Sequence, residues 1–408
     1  MRPRLALVVC ALALVACRSP APRADQPIVI LVAIDGFRWD YLEKFTPPAL
    51  LALAAEGVRA EGLIPQFPSK TFPNHYTIVT GLRLASHGIL SNNMVAPDIP
   101  GRFSLANRDV LADARWWGGE PIWNTAGRQG LVTSSMFWPG SEAAIGGRQA
   151  TYWMPYDHGM PNDARVSQTL EWITAPDGRR ASFVTLYFSD VDSAGHSRGP
   201  DSPEVRDAVA HVDGAIAQLV DGVGAAGLAG RVHYVIVSDH GMAQLSMDRM
   251  IVLDDYVDVD TVDVIDWSPV LALAPKDGNV EGLYAVLEGK HPALAVYRNS
   301  DLPAKYGLAG HPRLPPVIGI ADEGWFITST SQMARWTGDR HAPGGAHGYD
   351  PQLKSMHGLF IAAGPRLRRG MVVPPVENIH LYELMCALLG VRPAANDGDP
   401  AVTGPMLR

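Results

Sequence analysis

The stretch PIVILVAIDG, Pro27 to Gly36, decides the fold. Seven consecutive apolar residues lead straight into an acid and a glycine, with no alternation of polar positions. A strand with one wet face alternates, whereas a strand buried on both faces reads as one apolar run, which is the habit of parallel sheets. Further runs of this kind are LVTSSMFW, ASFVTLYFSD, RVHYVIVSDHG and HGLFIAAGP. Helical patterns lie between them. PALLALAAEGV stops at Gly57, and SPEVRDAVAHVDGAIAQLVDGV has Ser202 as a cap and Pro203 at its first position. Strands alternating with helices predict an α/β fold, with a central, mostly parallel sheet covered by helices on both faces.

From about 267 to 337 the texture changes. SPVLALAPKDG, NVEGLYAVLEGK, ALAVYRNSD, LPAKYG and PVIGIADEGWFITST read as strand, helix, strand, helix, strand, a small α+β lobe inserted into the main unit. The N-terminus is a separate object. MRPRLALVVCALALVACRSP carries Arg2 and Arg4, then an apolar run too short to span a bilayer, in the form of a secretory leader. Its LVAC ending resembles a lipoprotein box in which Cys17 becomes the lipid-bearing first residue. Residues 1–17 are thus expected to be a signal, 18–26 a tether and 27–408 the catalytic unit, exported to the periplasm and attached to a membrane through Cys17.

Three cysteines are present, and Cys386 alone lies outside the leader, so no internal disulfide supports the fold. The formal charge of -8 becomes -10 without the two leader arginines, which excludes binding to a nucleic-acid duplex through a basic footprint.

Acids and histidines gather at the strand ends. Asp35 closes the first strand, Asp192 and His196 follow the strand ending at Phe188, Asp239 and His240 close another, and His357 opens the last. Ligands of open α/β sheets collect outside the carboxyl ends of strands. Carboxylate and imidazole together suit Zn²⁺ better than Mg²⁺ or Ca²⁺. Two such ions carry four positive charges against three carboxylates, and an alkoxide would supply the fourth negative charge. Thr71, in FPSKTFPNHYTIVTG, is the candidate. At a helix start it is either an N-cap or a nucleophile held in the field of the helix dipole.

Taken together, AIDGFRWDYL, KTFPNHYTIVTGL, HGILSNNM, TYWMPYD, YFSDVDSAGH, SDHGM and GAHGYDPQLKSMHGLFIAAGP resemble the nucleotide pyrophosphatase/phosphodiesterase family of the alkaline phosphatase superfamily, in a bacterial, single-domain form. The resemblance runs from about Ile28 to beyond Gly364 and implies an alkaline-phosphatase-like fold with two Zn²⁺ per chain. By motif, Asp35, Thr71, Asp239 and His240 hold one zinc, and Asp192, His196 and His357 the other. Thr71 is the nucleophile that forms a phosphothreonine. Asn92 and the Thr71 N–H meet a non-bridging phosphate oxygen, and Phe72, Tyr152 and Tyr187 form the slot for a base. His75 and His347 are expected to pack or to hydrogen-bond a ligand from behind.

The reaction implied is hydrolysis of nucleotide phosphodiester and phosphoanhydride bonds, such as ATP to AMP and pyrophosphate. A neutral Asn92, with no Arg fork around Thr71, suits a phosphorus carrying one charge. A sulfatase needs Cys or Ser where Thr71 stands. Lysophospholipid or choline-phosphate diesters remain an alternative on the same site, and an inactive zinc-binding surface protein is a third reading that Thr71 and six other ligands oppose.

Overall fold

The computed structural model describes residues 26–336 and 342–408. The leader, Cys10, Cys17, nearly all of the tether and His341 lie outside the described residues. Among the described residues the main sheet has eight strands. Across it run Met371–Val373, Val58–Ala60, Phe360–Ala363, Val232–Val237, Ile28–Ile34, Phe183–Phe188, Thr133–Met136 and Tyr152–Met154. Only Phe360–Ala363 runs against its neighbours; all other pairings are parallel.

The apolar run Ile28–Ile34 lies at the middle of this sheet and is buried throughout. Its alternate residues feed different cores. Val29, Leu31 and Ala33 join a core that includes Tyr76, Ile78 and Val79 of helix Thr71–Thr80 and most of helix Leu381–Leu389. Ile28, Ile30, Val32 and Ile34 join the opposite core, packed by helices Pro48–Glu56, Asn162–Thr174 and Pro203–Ala225. Period two in the strand thus divides one run between two layers of helix. Helix Pro203–Ala225 starts as its sequence predicts: the Ser202 hydroxyl accepts the Val205 N–H at 3.3 Å and Pro203 takes the first position. Cys386 is buried in the first core as a small apolar residue.

The lobe has its own four-stranded antiparallel sheet, ordered Val262–Asp266, Val270–Pro275, Val317–Ala321 and Leu294–Arg298, with helix Val280–Leu287 against it. A parallel pair, Met250–Val252 with Phe326–Thr328, joins its base, so the separate texture begins before residue 267. LPAKYG forms only a short 3-10 turn, Ala304–Tyr306, because Pro303 and the left-handed Gly307 (φ +66°) bound it on either side.

Candidate active site

The parallel strands bring their carboxyl ends to one edge, and the acids follow directly. Asp35 continues the central strand, its N–H donating to Phe188 O at 2.9 Å, and it is 2 % exposed. Gly36 then turns with φ +69°, and a Cβ there would lie 2.9 Å from Asp192 Cα. This glycine lets the next layer approach closely. Asp192 and His196 lie one turn apart on helix Asp190–Arg198, with Asp192 Oδ1 3.4 Å from His196 Nε2. Asp239 and His240 follow strand Val232–Val237 and are fully buried.

Three histidines share one arrangement. His240 Nδ1 lies 2.8 Å from Gly241 O, His196 Nδ1 3.0 Å from Gly345 O, and His347 Nδ1 2.8 Å from Ser69 O. A carbonyl can only accept, so each Nδ1 carries the hydrogen and each Nε2 is turned toward the carboxylates. His240 Nε2 lies 3.0 Å from Asp239 Oδ2, 3.4 Å from Asp35 Oδ1 and 3.3 Å from Thr71 Oγ1. His347 Nε2 lies 3.1 Å from His196 Nε2 and 3.7 Å from Asp192 Oδ1. The rings of His240 and His347 stack 3.4 Å apart.

His347 therefore stands where the sequence reading placed His357. The His357 ring is engaged elsewhere: its Nε2 lies 3.1 Å from Pro351 O, its Nδ1 is packed under Gly62, and it joins neither converging donor set. His75 sits behind the site, with Nδ1 2.9 Å from Thr71 O and 3.2 Å from Asp239 Oδ2.

Electrostatically this is a cluster in need of cations. Asp35 Oδ1, Asp192 Oδ1 and Asp239 Oδ2 are buried with no hydrogen-bond partner among the described residues. An unsatisfied buried polar atom costs about 1–3 kcal/mol, and more when charged. Burial, then the facing Asp239 and Asp192, pushes the Asp35 carboxyl well above its usual range. Burial pulls the His240 imidazole down, but the surrounding carboxylates outweigh it and push the ring up to about 9. His347, buried beside two other imidazoles, is held well below the ordinary value. Two donor sets, Asp35 with Asp239 and His240, and Asp192 with His240 and His347, each converge within 4.8 Å. Orphaned carboxylate oxygens facing imidazole nitrogens fit divalent metal ions.

Thr71 is the first residue of helix Thr71–Thr80 and Lys70 its N-cap, so the threonine is not a cap. Asn92 Oδ1 accepts the Phe72 N–H at 2.9 Å, which fixes the amide beside the helix start. A cavity of about 210 Å³ opens from Asp35, Thr71 and Asp192 between Phe72, Tyr156, Tyr187 and Trp138. At its rim Arg108 pairs with Glu142, and Glu142 Oε1 accepts the Tyr156 N–H at 3.1 Å. Tyr187 does two things, lining the cavity while its hydroxyl donates to Asp35 Oδ2 at 2.6 Å. Tyr152 is not in the slot. Its hydroxyl donates to Arg179 O and its ring lies parallel to Trp172 of helix Asn162–Thr174. Tyr156, two residues beyond the end of that strand at Met154, lines the cavity in its place.

A mostly parallel sheet with this metal-binding edge, a threonine at a helix start and an aromatic cavity defines an alkaline-phosphatase-like hydrolase of phosphate esters. The chain belongs to the type I phosphodiesterase/nucleotide pyrophosphatase family, whose model matches residues 29–350. It is 36 % identical over 375 residues to human ectonucleotide pyrophosphatase/phosphodiesterase family member 5, covering 92 % of this chain and 77 % of that protein. To mouse family member 7 it is 35 % identical over 408 residues, 96 % of this chain and 90 % of the relative. Among solved structures, murine member 5, an inactive threonine-to-alanine variant in complex with AMP, superposes with a TM-score of 0.88 at 35 % identity, covering 94 % of this chain and all of the other. The chain is accordingly a phosphodiester hydrolase and a nucleotide pyrophosphatase/phosphodiesterase.

Proposed function

We propose that this enzyme hydrolyses nucleotide phosphodiesters and phosphoanhydrides, ATP to AMP and pyrophosphate among them, by way of a phosphothreonine on Thr71. The observation that carries the reading is the cavity: its floor is the carboxylate cluster with Thr71, and its walls are aromatic. Two Zn²⁺ fit the donors: Asp35, Thr71, Asp239 and His240 would hold one, and Asp192, His196 and His347 the other. When bound, such ions supply positive charge for the ionised Thr71 hydroxyl and for the departing oxygen.

The chain's own residues do the rest. Helix Thr71–Thr80 aims its N-terminus at the phosphoryl group, and the Thr71 N–H, at the first helical position, has no acceptor within the helix. Asn92, its oxygen taken by the Phe72 N–H, is left with its NH₂ for a non-bridging oxygen. Thr71 Oγ1 attacks phosphorus, the bond to the leaving oxygen breaks, and water then attacks the same phosphorus and releases Thr71. Tyr187 holds Asp35 in place.

A base stacks between Phe72 and Tyr156, with the Arg108–Glu142 pair at its polar edge. That pair also orders the substrate classes. A choline head group would seek the uncompensated charge of Glu142, and Arg108 cancels it, so the nucleotide reading ranks above the lipid one.

Product analysis with ATP and zinc-loaded protein tests the proposal. AMP with pyrophosphate is expected. ADP with phosphate would overturn it, and turnover of choline-phosphate diesters alone would move the enzyme to the lipid class. Tyr156→Ala should raise KM for nucleotide esters by about 10-fold, given ~1–3 kcal/mol for a base stacked on an aromatic ring. Tyr152→Ala should leave KM within about 2-fold; steady-state kinetics on an aryl nucleotide ester and a small aryl diester separates the two slots.

The leader, ending at Cys17, supports an exported, periplasmic enzyme held to a membrane by a lipid on that cysteine. Fractionation of a Cys17→Ser chain checks the anchor: release from membranes is expected, and an unchanged distribution would remove it.

A further inference from the structure

The lobe strand Val262–Asp266 ends in a carboxylate that the reaction above does not use. Asp266 is 7 % exposed and Lys70 5 %. Lys70 Nζ donates to Asp266 Oδ2 at 2.6 Å, and the Ser91 hydroxyl donates to the same oxygen. The other oxygen accepts Asn93 Nδ2 at 3.3 Å and the Trp267 N–H at 3.0 Å. The three side-chain partners have one thing in common. Lys70 immediately precedes Thr71, and Ser91 and Asn93 flank Asn92 on both sides.

The aim of this carboxylate is built in. Pairing between Val262–Asp266 and Val270–Pro275 shifts register between Val264 and Asp266, a bulge that redirects the final side chain. Arg102 donates to the carbonyls of Val264 and Ile265 at that bulge. Its own strand, Ile99–Ser104, pairs with Asn93–Ala96, so the hairpin that carries Asn93 also clamps the bulge. A buried lysine–carboxylate pair is poor evidence for stability, since desolvation offsets its attraction and an apolar pair often does as well.

We propose that Asp266 is a positioning residue for phosphoryl transfer: from the lobe it holds the chain beside Thr71 and on both sides of Asn92 in register with each other. This rests on the roles of Thr71 and Asn92 given above. The lobe thereby sets the geometry in which nucleophile and amide meet one phosphoryl group.

The test compares wild type, Asp266→Asn and the double variant Lys70→Met with Asp266→Leu, which removes the buried charges together. With an aryl nucleotide ester, kcat of Asp266→Asn should fall about 30–100-fold with KM within about 3-fold, a displacement near 1 Å sufficing for a loss of order 10²-fold. The Rp/Sp preference for the phosphorothioate ester should move the same way as in Asn92→Ala. Calorimetry with inorganic phosphate should show about 10-fold weaker binding. The double variant should melt at or above the wild-type temperature and stay as slow as the single one. An Rp/Sp ratio and phosphate affinity equal to wild type, with only a lowered melting temperature, would overturn the proposal and leave a purely structural pair. Should wild type fail to turn over the nucleotide ester while Asp266→Asn still weakens phosphate, the nucleotide reading falls and Asp266 stands.

Discussion

Zinc-loaded Thr71→Ala will release no measurable product from an aryl nucleotide ester, a loss of at least about 10⁴-fold, while calorimetry still registers AMP. Removing a nucleophile of this kind leaves only what binding and charge stabilisation can do for water. Thr71 Oγ1 stands 3.3 Å from His240 Nε2 at the mouth of the carboxylate cluster, and the cavity opens directly above it. Of the other hydroxyls on the cavity wall, that of Tyr187 is already given to Asp35. Burial, then the facing Asp35 carboxylate, pushes the Tyr187 phenol well above its usual range, so it cannot stand in as an ionised nucleophile. AMP binding should persist because Phe72, Tyr156 and Asn92 are untouched. Thr71→Ser keeps a hydroxyl on the same carbon but loses the methyl that restricts χ1. It should retain activity within about 100-fold of wild type. More than about 1 % of wild-type turnover in Thr71→Ala would end the phosphothreonine mechanism.

The sheet was legible in the sequence because burial on both faces leaves few polar positions and no alternation to confuse the reading. Ile28–Ile34 and Val232–Val237 are buried at every residue. Their acids were legible from position: Asp35 directly follows an uninterrupted apolar run, and Asp239 follows Val235–Val237 after a single serine. Asp192 and His196 carry their own signal, a four-residue spacing that one helical turn converts into one face.

What escaped was decided by which atom a backbone carbonyl happens to meet. His347 and His357 both precede a glycine, and ten residues separate them. Only in the folded chain does Ser69 O meet Nδ1 of one while Pro351 O meets Nε2 of the other. Tyr152 and Tyr156 posed the same problem, four residues apart across a strand end at Met154 that the aromatic spacing does not announce. The lobe was placed by texture, and its inner edge was not, because Met250–Val252 and Val262–Asp266 are short strands among acidic turns. The tie from Asp266 to Lys70, Ser91 and Asn93 spans 173 to 196 residues, which local pattern cannot reach.

His347→Ala is therefore expected to behave as a ligand mutant and His357→Ala as a packing mutant. In the first, metal analysis should find about one zinc fewer per chain, and kcat/KM should fall about 10³-fold. Asp192 and His196 alone would then face an ion with two donors where tetrahedral sites use three or four protein ligands. Removing the ring also frees Ser69 O, two residues before Thr71, so part of the loss should appear in kcat rather than KM. His357→Ala removes a buried ring whose one polar contact among the described residues is with Pro351 O. Burial, and then the nearby Lys354, hold that ring below its ordinary pKa, so no charge is lost at neutral pH. The expected cost is ~1–3 kcal/mol of stability from the emptied space and the unpaired carbonyl. Zinc content should stay at two, and kcat/KM within about 5-fold of wild type at temperatures where the variant is folded. The reverse pattern, zinc lost from His357→Ala and kept by His347→Ala, would return the second metal site to the assignment that the sequence alone suggested.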